Sequence, residues 1–156
     1  MVLSSPPFPP PQERGLRAAV LGSGSAGNSL VLESSGDRIL LDAGFSCREL
    51  ERRLRMVGVE PETLRAIVLT HEHRDHCRGA ELLSRRWNLP IYGTRGTLEG
   101  CRFAQPRTLR LVPFAVGLPF SASGFSLEAF PVPHDAREPV GLVVEDGRNR
   151  RLGLIT

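Results

Sequence analysis

Residues 66–76 of the chain read AIVLTHEHRDH, a short apolar run followed closely by three histidines and an aspartate. The run AIVL is partly β-branched and predicts a strand buried on both faces. His71 and His73 are two positions apart, so in extended backbone at the end of that strand both side chains leave from one face. Asp75 and His76 come where the chain turns and can close on a neighbouring position. Because such nitrogen and oxygen donors suit zinc, manganese or iron, the stretch predicts a metal centre at a strand end.

His134, the remaining histidine of the chain, is a further candidate ligand. Apolar residues alternate over 125–129, which predicts a strand, and two prolines stiffen the approach to the histidine. Two plainer interpretations stay open from the residues alone. A lone histidine after two prolines is more often structural than metal-bound, and a charged HEHRDH run can form a solvated loop.

Two helices are predicted next to these residues. Ser46 and Glu49 form a capping box that opens a helix ended at Gly58. A second helix is predicted over 77–87, because apolar residues continue an inward-facing stripe that begins at His76. Farther along the chain, the segments 140–145 and 151–155 predict a hairpin.

The stretch LTHEHRDH resembles the metal-binding signature of the metallo-β-lactamase fold superfamily, which is His-x-His-x-Asp-His after a buried strand. Other stretches are similar to the corresponding parts of the WalJ-type subgroup: GSGSAGNS (22–29), LLDAG (40–44), CRELERRL (47–54) and PVPHDAREPVG (131–141). The resemblance covers residues 17–156. It implies a fold of the α/β (α+β) class, a four-layer αββα sandwich of two similar halves, of which this chain supplies the N-terminal portion.

The expected domain organisation follows from that resemblance. Residues 16–156 are expected to form a metallo-β-lactamase-fold domain that is incomplete at its C-terminus, and residues 1–15 a disordered proline-rich tail. A compact domain of another class that carries the same motif is the alternative. An incomplete sandwich would expose a sheet surface, so low solubility or self-association is also predicted.

The resemblance assigns the five candidate ligands to two metals: His71, His73 and His134 to the first, Asp75 and His76 to the second. Asp75 is also the expected catalytic residue, a ligand that orients the nucleophile. In the superfamily a bridging aspartate follows a strand like the one over 152–156, and a further histidine comes later. Neither is present in this chain. Two divalent metals are therefore expected in full-length relatives, Zn²⁺ first and Mn²⁺ second, and at most one tightly held metal here.

Two polar residues are candidates for orienting the ligands. Asp42 ends a predicted strand over 38–42, where its carboxylate can accept from a ligand histidine or simply close a turn. Asn28 ends GSGSAGN, which contains the G-x-G-x-x-G pattern of dinucleotide-binding folds. A dinucleotide site is disfavoured because the following residues, 29–33, are strand-like and do not open a helix. In the fold implied by the resemblance, the glycines form a tight turn near the metal cleft and Asn28 bonds to its backbone.

The implied activity is hydrolysis by a metal-activated water. WalJ-type proteins resemble phosphodiesterases that act on nucleic acid. The leading hypothesis is therefore a nucleic-acid phosphodiesterase of the exonuclease kind, with DNA or RNA as its partner. Two alternatives stay open, a hydrolase of thioesters or lactones on the same fold and an inactive metal-binding half-domain fragment.

Composition adds expectations about location and partners. The chain carries 20 basic residues, all arginine, scattered among 17 acidic ones, which is typical of a solvated surface. Three cysteines without a C-x-x-C pair argue against a secreted disulfide framework and favour a reducing cytoplasm. No signal-peptide pattern or stretch of membrane-spanning length is found, so no membrane partner is expected. The oligomeric state is left open.

Overall fold

The computed structural model of the protein describes residues 15–155. The tail predicted over residues 1–15 lies outside the described residues except for Gly15. The described chain forms two β-sheets packed face to face, with helices on the outer face of the larger sheet. This arrangement confirms the predicted α/β class and supplies three layers in the order helix, sheet, sheet.

The larger sheet contains six strands in chain order: β1 (Arg17–Gly22), β2 (Ser29–Ser34), β3 (Asp37–Leu41), β4 (Ala66–Val68), β5 (Ile91–Gly93) and β6 (Leu111–Pro113). The first three strands pair antiparallel, and β3 to β6 pair parallel. Parallel pairing brings the carboxyl ends of β3, β4 and β5 to one edge of the sheet, which is where the AIVL strand delivers its histidines.

The smaller sheet contains four antiparallel strands: β7 (Phe120–Ala122), β8 (Phe125–Pro131), β9 (Val140–Asp146) and β10 (Arg151–Leu154). Their order in the sheet is β10, β9, β8, β7. The alternation predicted over 125–129 is confirmed, and so is the hairpin formed by the last two strands. The loop from β8 to β9 carries His134.

The helices are α1 (Cys47–Met56), α2 (Arg74–Cys77), α3 (Ala80–Trp87) and α4 (Arg95–Gly100), with short 3₁₀ turns over 61–63 and 106–108. The predicted Ser46 cap of α1 is confirmed, since its side chain accepts from the backbone N–H of Glu49. Among the described residues, no helix is long and apolar enough to cross a bilayer.

The helix predicted over 77–87 is confirmed for 80–87, which form α3, but it does not begin at Cys77, because the chain breaks at Gly79 between α2 and α3. The backbone of the β3–α1 loop lies against this point. A Cβ at Gly79 would meet the carbonyl oxygen of Phe45 at 2.3 Å, and the Gly79 N–H donates to the carbonyl of Ala43 at 2.8 Å. A contact between segments distant in sequence therefore overrides the helical pattern.

Two apolar cores hold the layers together, one on each face of the larger sheet. Leu40 and Ile67 face the helices, where they pack with Leu50 of α1 and Leu83 of α3. Their strand neighbours face the smaller sheet instead, and these are Ile39, Leu41, Ala66 and Val68. Because β4 and the last three residues of β3 are buried on both faces, they are unbroken apolar runs, as the AIVL segment predicts.

Candidate metal centre

Four histidine rings meet at the carboxyl edge of the larger sheet. β4 ends at Val68, and His71 follows three residues later in the same segment. His73 is the N-terminal cap of α2, and His76 lies within that helix. His134 comes from the β8–β9 loop. The centroid of the His71 ring lies 4.8 Å from that of His73, 4.0 Å from that of His76 and 4.7 Å from that of His134. The structure thus brings together all four histidines that the sequence singles out.

Three of these side chains form a compact group of potential ligands. His71, His73 and His134 each offer one nitrogen, and these nitrogens lie within 4.8 Å of one another. His71 is buried, His73 is half-buried and His134 is exposed. The group is therefore anchored in the protein on one side and open to solvent on the other.

The buried member, His71, has one ring nitrogen that is hydrogen-bonded and one that has no partner within residues 15–155. Its Nδ1 lies 3.0 Å from the hydroxyl of Thr70. That hydroxyl has a single hydrogen, which it donates to the carboxylate of Asp42 at 2.9 Å, so it accepts from the Nδ1–H of His71. The Nε2 of His71 is then unprotonated, and it is buried without a hydrogen-bond partner among the described residues. Such a nitrogen is suited to bind a metal ion.

The protonation of His71 agrees with this arrangement. Burial, and then the charges of His76, His73 and His134, lower the pKa of His71 from 6.5 to about 3. The imidazole is therefore neutral at physiological pH, which is the form that ligates a metal.

Asp42 connects two buried histidines, His76 directly and His71 through the hydroxyl of Thr70. Its carboxylate is buried and accepts from the backbone N–H of Thr70 at 2.8 Å and from the Nδ1–H of His76 at 2.7 Å. With its Nδ1–H donated to Asp42, the neutral ring of His76 has its lone pair on Nε2, where it can accept a hydrogen bond or bind a metal. The sequence predicts Asp42 as the last residue of a strand, but β3 ends one residue earlier, at Leu41, and Asp42 has a positive φ of 59°, a conformation that aspartate tolerates better than most residues.

Asn28 contacts both residues assigned to the second metal. Its Nδ2 lies 3.0 Å from Oδ2 of Asp75 and 3.1 Å from Nε2 of His76, and the latter two atoms are 3.6 Å apart. Its amide also bonds the backbone of Gly24 in both directions, as predicted for the glycine turn. Asn28 therefore holds Asp75 and His76 in a fixed relation to the loop before β2.

The residues present fit a divalent metal on chemical grounds. The group contains three imidazoles, of which the deepest is neutral and has an orphaned, buried nitrogen, and a half-buried carboxylate lies beside it. Three imidazoles with an open side are a ligand set that zinc accepts in catalytic sites. Asp75 and His76, which the resemblance assigns to a second metal, lie side by side, with Oδ2 and Nε2 3.6 Å apart.

Three residues that contact the candidate ligands, or that lie in the loop of His134 or contact it, were not predicted from the sequence: Thr70, Glu72 and Glu138. Thr70 precedes a candidate ligand in the chain, and its hydroxyl lies between the Asp42 carboxylate and the His71 ring. The carboxylates of Glu72 and Glu138 accept hydrogen bonds from backbone N–H groups of other segments. A local sequence pattern does not predict contacts between segments that are distant in the chain.

A family model described as the beta-lactamase superfamily domain matches residues 37–156. Exodeoxyribonuclease YycJ of Bacillus anthracis is 34% identical to this chain over 145 residues, which are 91% of this chain and 54% of the relative. Exodeoxyribonuclease WalJ of Streptococcus pneumoniae is 34% identical over 131 residues, which are 81% of this chain and 49% of the relative. The chain thus spans about half the length of these curated relatives.

Solved structures show the same fold. A metallo-β-lactamase with a HARLDQ motif from Cronobacter sakazakii superposes with a TM-score of 0.71 at 20% sequence identity. The superposition covers 86% of this chain and 59% of that one. At this identity the likeness concerns the fold alone, and it agrees with the layers described above.

Proposed function

The chain belongs to the beta-lactamase superfamily, as its resemblance predicts, and on that premise we propose that it forms the metal-binding part of a hydrolase that cleaves nucleic-acid phosphodiesters. One observation carries the metal centre. The Nε2 of His71 is buried, unprotonated and without a hydrogen-bond partner among the described residues, and it belongs to a group of three histidines. A buried polar atom left without a partner costs stability unless something binds it. We propose that the Nε2 of His71 binds a zinc ion, with manganese as the second choice.

The residues have separate tasks in this proposal. His71, His73 and His134 hold the first metal, and Asp75 and His76 contribute to a second. A divalent cation held there supplies Lewis acidity and a nucleophilic water at neutral pH. Asp42 keeps His76 in the tautomer that presents Nε2, and Asn28 steadies the Asp75 carboxylate, which orients the attacking water. The exposed side at His134 is where substrate approaches.

The choice of a nucleic-acid substrate rests on the named relatives and on one surface feature. Both relatives are named exodeoxyribonucleases. Beside the histidine run lies a cleft of about 340 Å³, and three exposed arginines line it: Arg74, Arg78 and Arg102. Arginines without a carboxylate partner bind phosphate oxygens well.

The acidic residues of that cleft are engaged elsewhere. Glu72 accepts from the backbone N–H of Arg137 at 2.8 Å, and Glu81 accepts from those of Ala104 and Gln105. Within residues 15–155, no ion pair to the three arginines is found. Their guanidinium groups therefore remain available to a substrate strand.

The three cysteines are free thiols, and with this substrate class they support the cytoplasmic location expected from the sequence.

A cleavage assay tests the proposed function. The purified chain is stripped with a chelator, reloaded with Zn²⁺ or Mn²⁺ and incubated with an end-labelled single-stranded deoxyoligonucleotide. We expect metal-dependent release of short products by the wild-type chain and none by His71→Ala. Cleavage that persists without metal would refute the proposal. A zinc-loaded chain that cleaves nothing would favour the alternative of an inactive metal-binding half-domain.

A further inference from the structure

His134 lies on a loop, residues 132–139, and is the most exposed of the three histidines in the candidate metal centre. His134 is exposed, and the prolines at 133 and 139 lack the N–H groups that would bond the loop to a neighbour. The ends of the loop are closed by a bond from the Val132 N–H to the carbonyl of Pro139 at 3.3 Å. A ligand on such a loop needs support from other elements if it is to be held ready for a metal.

Glu138 attaches this loop to α4. Its Oε2 accepts from the backbone N–H of Gly96 at 2.9 Å, in the first turn of the helix. Its carbonyl oxygen accepts from the hydroxyls of Thr94 and Thr97, at 3.1 and 3.4 Å. The helix comes so close that a Cβ at position 96 would lie 2.8 Å from the Cβ of Glu138. Side chain and backbone of one residue thus make three bonds to one helix.

Glu72 attaches the same loop to the histidine run. It stands between His71 and His73, and its Oε1 accepts from the backbone N–H of Arg137 at 2.8 Å. The C-terminal end of α4 packs on its side chain, since a Cβ at Gly100 would meet the Cγ of Glu72 at 2.5 Å. The loop is therefore held between α4 and the segment that carries two other candidate ligands.

We propose that Glu138 and Glu72 are positioning residues that hold the His134 loop in a metal-ready conformation, an inference that rests on the proposed metal centre. Fixing the backbone of a loop residue costs conformational entropy. If the two carboxylates order the loop before the metal arrives, the metal does not have to supply that free energy. Without them, binding through His134 includes the cost of ordering the loop.

Zinc affinity of the full chain, measured by competition with a chromophoric chelator, tests this proposal. Glu138→Ala is expected to weaken zinc binding about 10-fold, in the range found when partners of metal ligands are removed. Glu138→Gln keeps an oxygen that can accept from Gly96 and should restore most of the affinity. Glu128→Ala is the matched control, because Glu128 is exposed on β8, which leads to the same loop. It should bind zinc like the wild type.

A double-mutant cycle separates positioning from a general loss of structure. Once His134→Ala has removed the ligand, adding Glu138→Ala should change zinc affinity no further. Equal losses in the presence and absence of His134 would overturn the proposal, and so would wild-type affinity of Glu138→Ala. If the wild-type chain binds no zinc at all, the metal centre itself is refuted together with this inference.

Gly96→Ala provides a second variant in case Glu138→Ala fails to fold. Alanine favours the helix more than glycine does, yet its Cβ would push Glu138 away from α4. We expect weaker zinc binding although α4 itself is strengthened. Unchanged affinity in a folded Gly96→Ala protein would contradict the proposal.

Discussion

Thr70 shows how a single buried hydroxyl can determine the chemistry of the candidate site. It donates to Asp42 and accepts from Nδ1 of His71, so it decides which nitrogen of His71 is free. Thr70→Val has nearly the same shape but leaves that Nδ1 without its partner. We expect a loss of about 1–3 kcal/mol in the free energy of unfolding. Zinc affinity should fall about 10-fold.

Chemical denaturation and chelator competition on Thr70→Val measure both effects. Ser84→Ala is a suitable control, because its hydroxyl is also buried and donates to the carbonyl of Leu89 at 2.6 Å but has no contact with Asp42 or His71. The control should lose stability and retain more of its zinc affinity. Equal zinc affinities of Thr70→Val and wild type would show that the tautomer of His71 is set by something else.

The low pKa of His71 makes the metal-free chain sensitive to mild acid. Burial, with the nearby histidines, lowers this pKa from 6.5 to about 3, so between these values the unfolded chain binds the proton and the folded chain does not. The free energy of unfolding therefore falls as the pH drops through this window. Between pH 7 and pH 5 the expected loss from this residue is about 2 kcal/mol.

Urea midpoints of the chelator-treated chain at pH 7, 6 and 5 test that expectation. His71→Gln has no titrating ring at position 71, so its unfolding free energy should depend less on pH over this range. A wild-type chain whose pH dependence equals that of His71→Gln would contradict the assigned pKa.

Residue identities in the site could be predicted from the sequence, because HEHRDH places several donors within one short stretch. The bonds between them could not. The contacts of Asp42 with Thr70 and of Asn28 with Asp75 join positions that are far apart in the chain. Their formation depends on how β3 and β4 pair, which cannot be read from the spacing of residues within one segment of the sequence.

At the scale of elements, the loop after β3 lies directly on the backbone of α2. The Gly44 N–H donates to the carbonyl of Asn28 at 3.0 Å, and the Asn28 N–H donates to that of Asp75 at 2.7 Å. A Cβ at Gly44 would lie 1.7 Å from the carbonyl oxygen of Asp75, where backbone cannot easily move. Gly44→Ala should therefore force the loop and α2 apart.

We expect Gly44→Ala to lower the free energy of unfolding by about 3 kcal/mol or more, since overpacking a tight contact is costly. Zinc binding should be weakened as well, because Asp75 and His76 move with α2. Gly147→Ala is the matched control, as nothing lies within 4 Å of a Cβ there. Thermal unfolding of both variants provides the measurement, and similar stabilities would argue against the close approach.

Elements with a strong local pattern were predicted well, and those defined by their neighbours were not. The buried strand β4, the alternating strand β8 and the Ser46 cap of α1 each follow from a short signal. The strands β6 and β7 are three residues each and carry little periodicity. They exist because an adjacent strand is there to pair with them, which is information that a short window lacks.

At the scale of the whole molecule, the distribution of arginines leads to a prediction about nucleic-acid binding. In the proposed function the three cleft arginines, Arg74, Arg78 and Arg102, neutralise phosphates of a single strand. Each such contact contributes about 0.7 to the slope of log K against log salt. Replacing all three by glutamine should therefore reduce the slope by about 2.

Fluorescence anisotropy of a labelled oligonucleotide in chelator, at several salt concentrations, measures that slope. A triple variant at three exposed arginines elsewhere serves as the control, and these are Arg48, Arg85 and Arg107. It has the same change in net charge and should alter the slope less. Equal effects of the two triple variants would mean that binding is not directed by the cleft.

The exposed surface of the molecule includes an apolar groove of about 380 Å³ that reaches Asp42 and His76. Val20 and Ile155 line it and are 64% and 70% exposed. Such apolar exposure beside the edge strand β10 is compatible with the low solubility or self-association expected from the sequence, which stays a prediction.

Three histidines from two distant segments form the proposed metal site, and zinc content tests that site most directly. The chain is purified without a tag, freed of loosely bound metal and measured by plasma mass spectrometry beside a variant with alanine at His71, His73 and His134. We predict zinc retained by the wild-type chain and lost from the variant. A wild-type chain without metal, or a variant that retains as much zinc, would contradict the account.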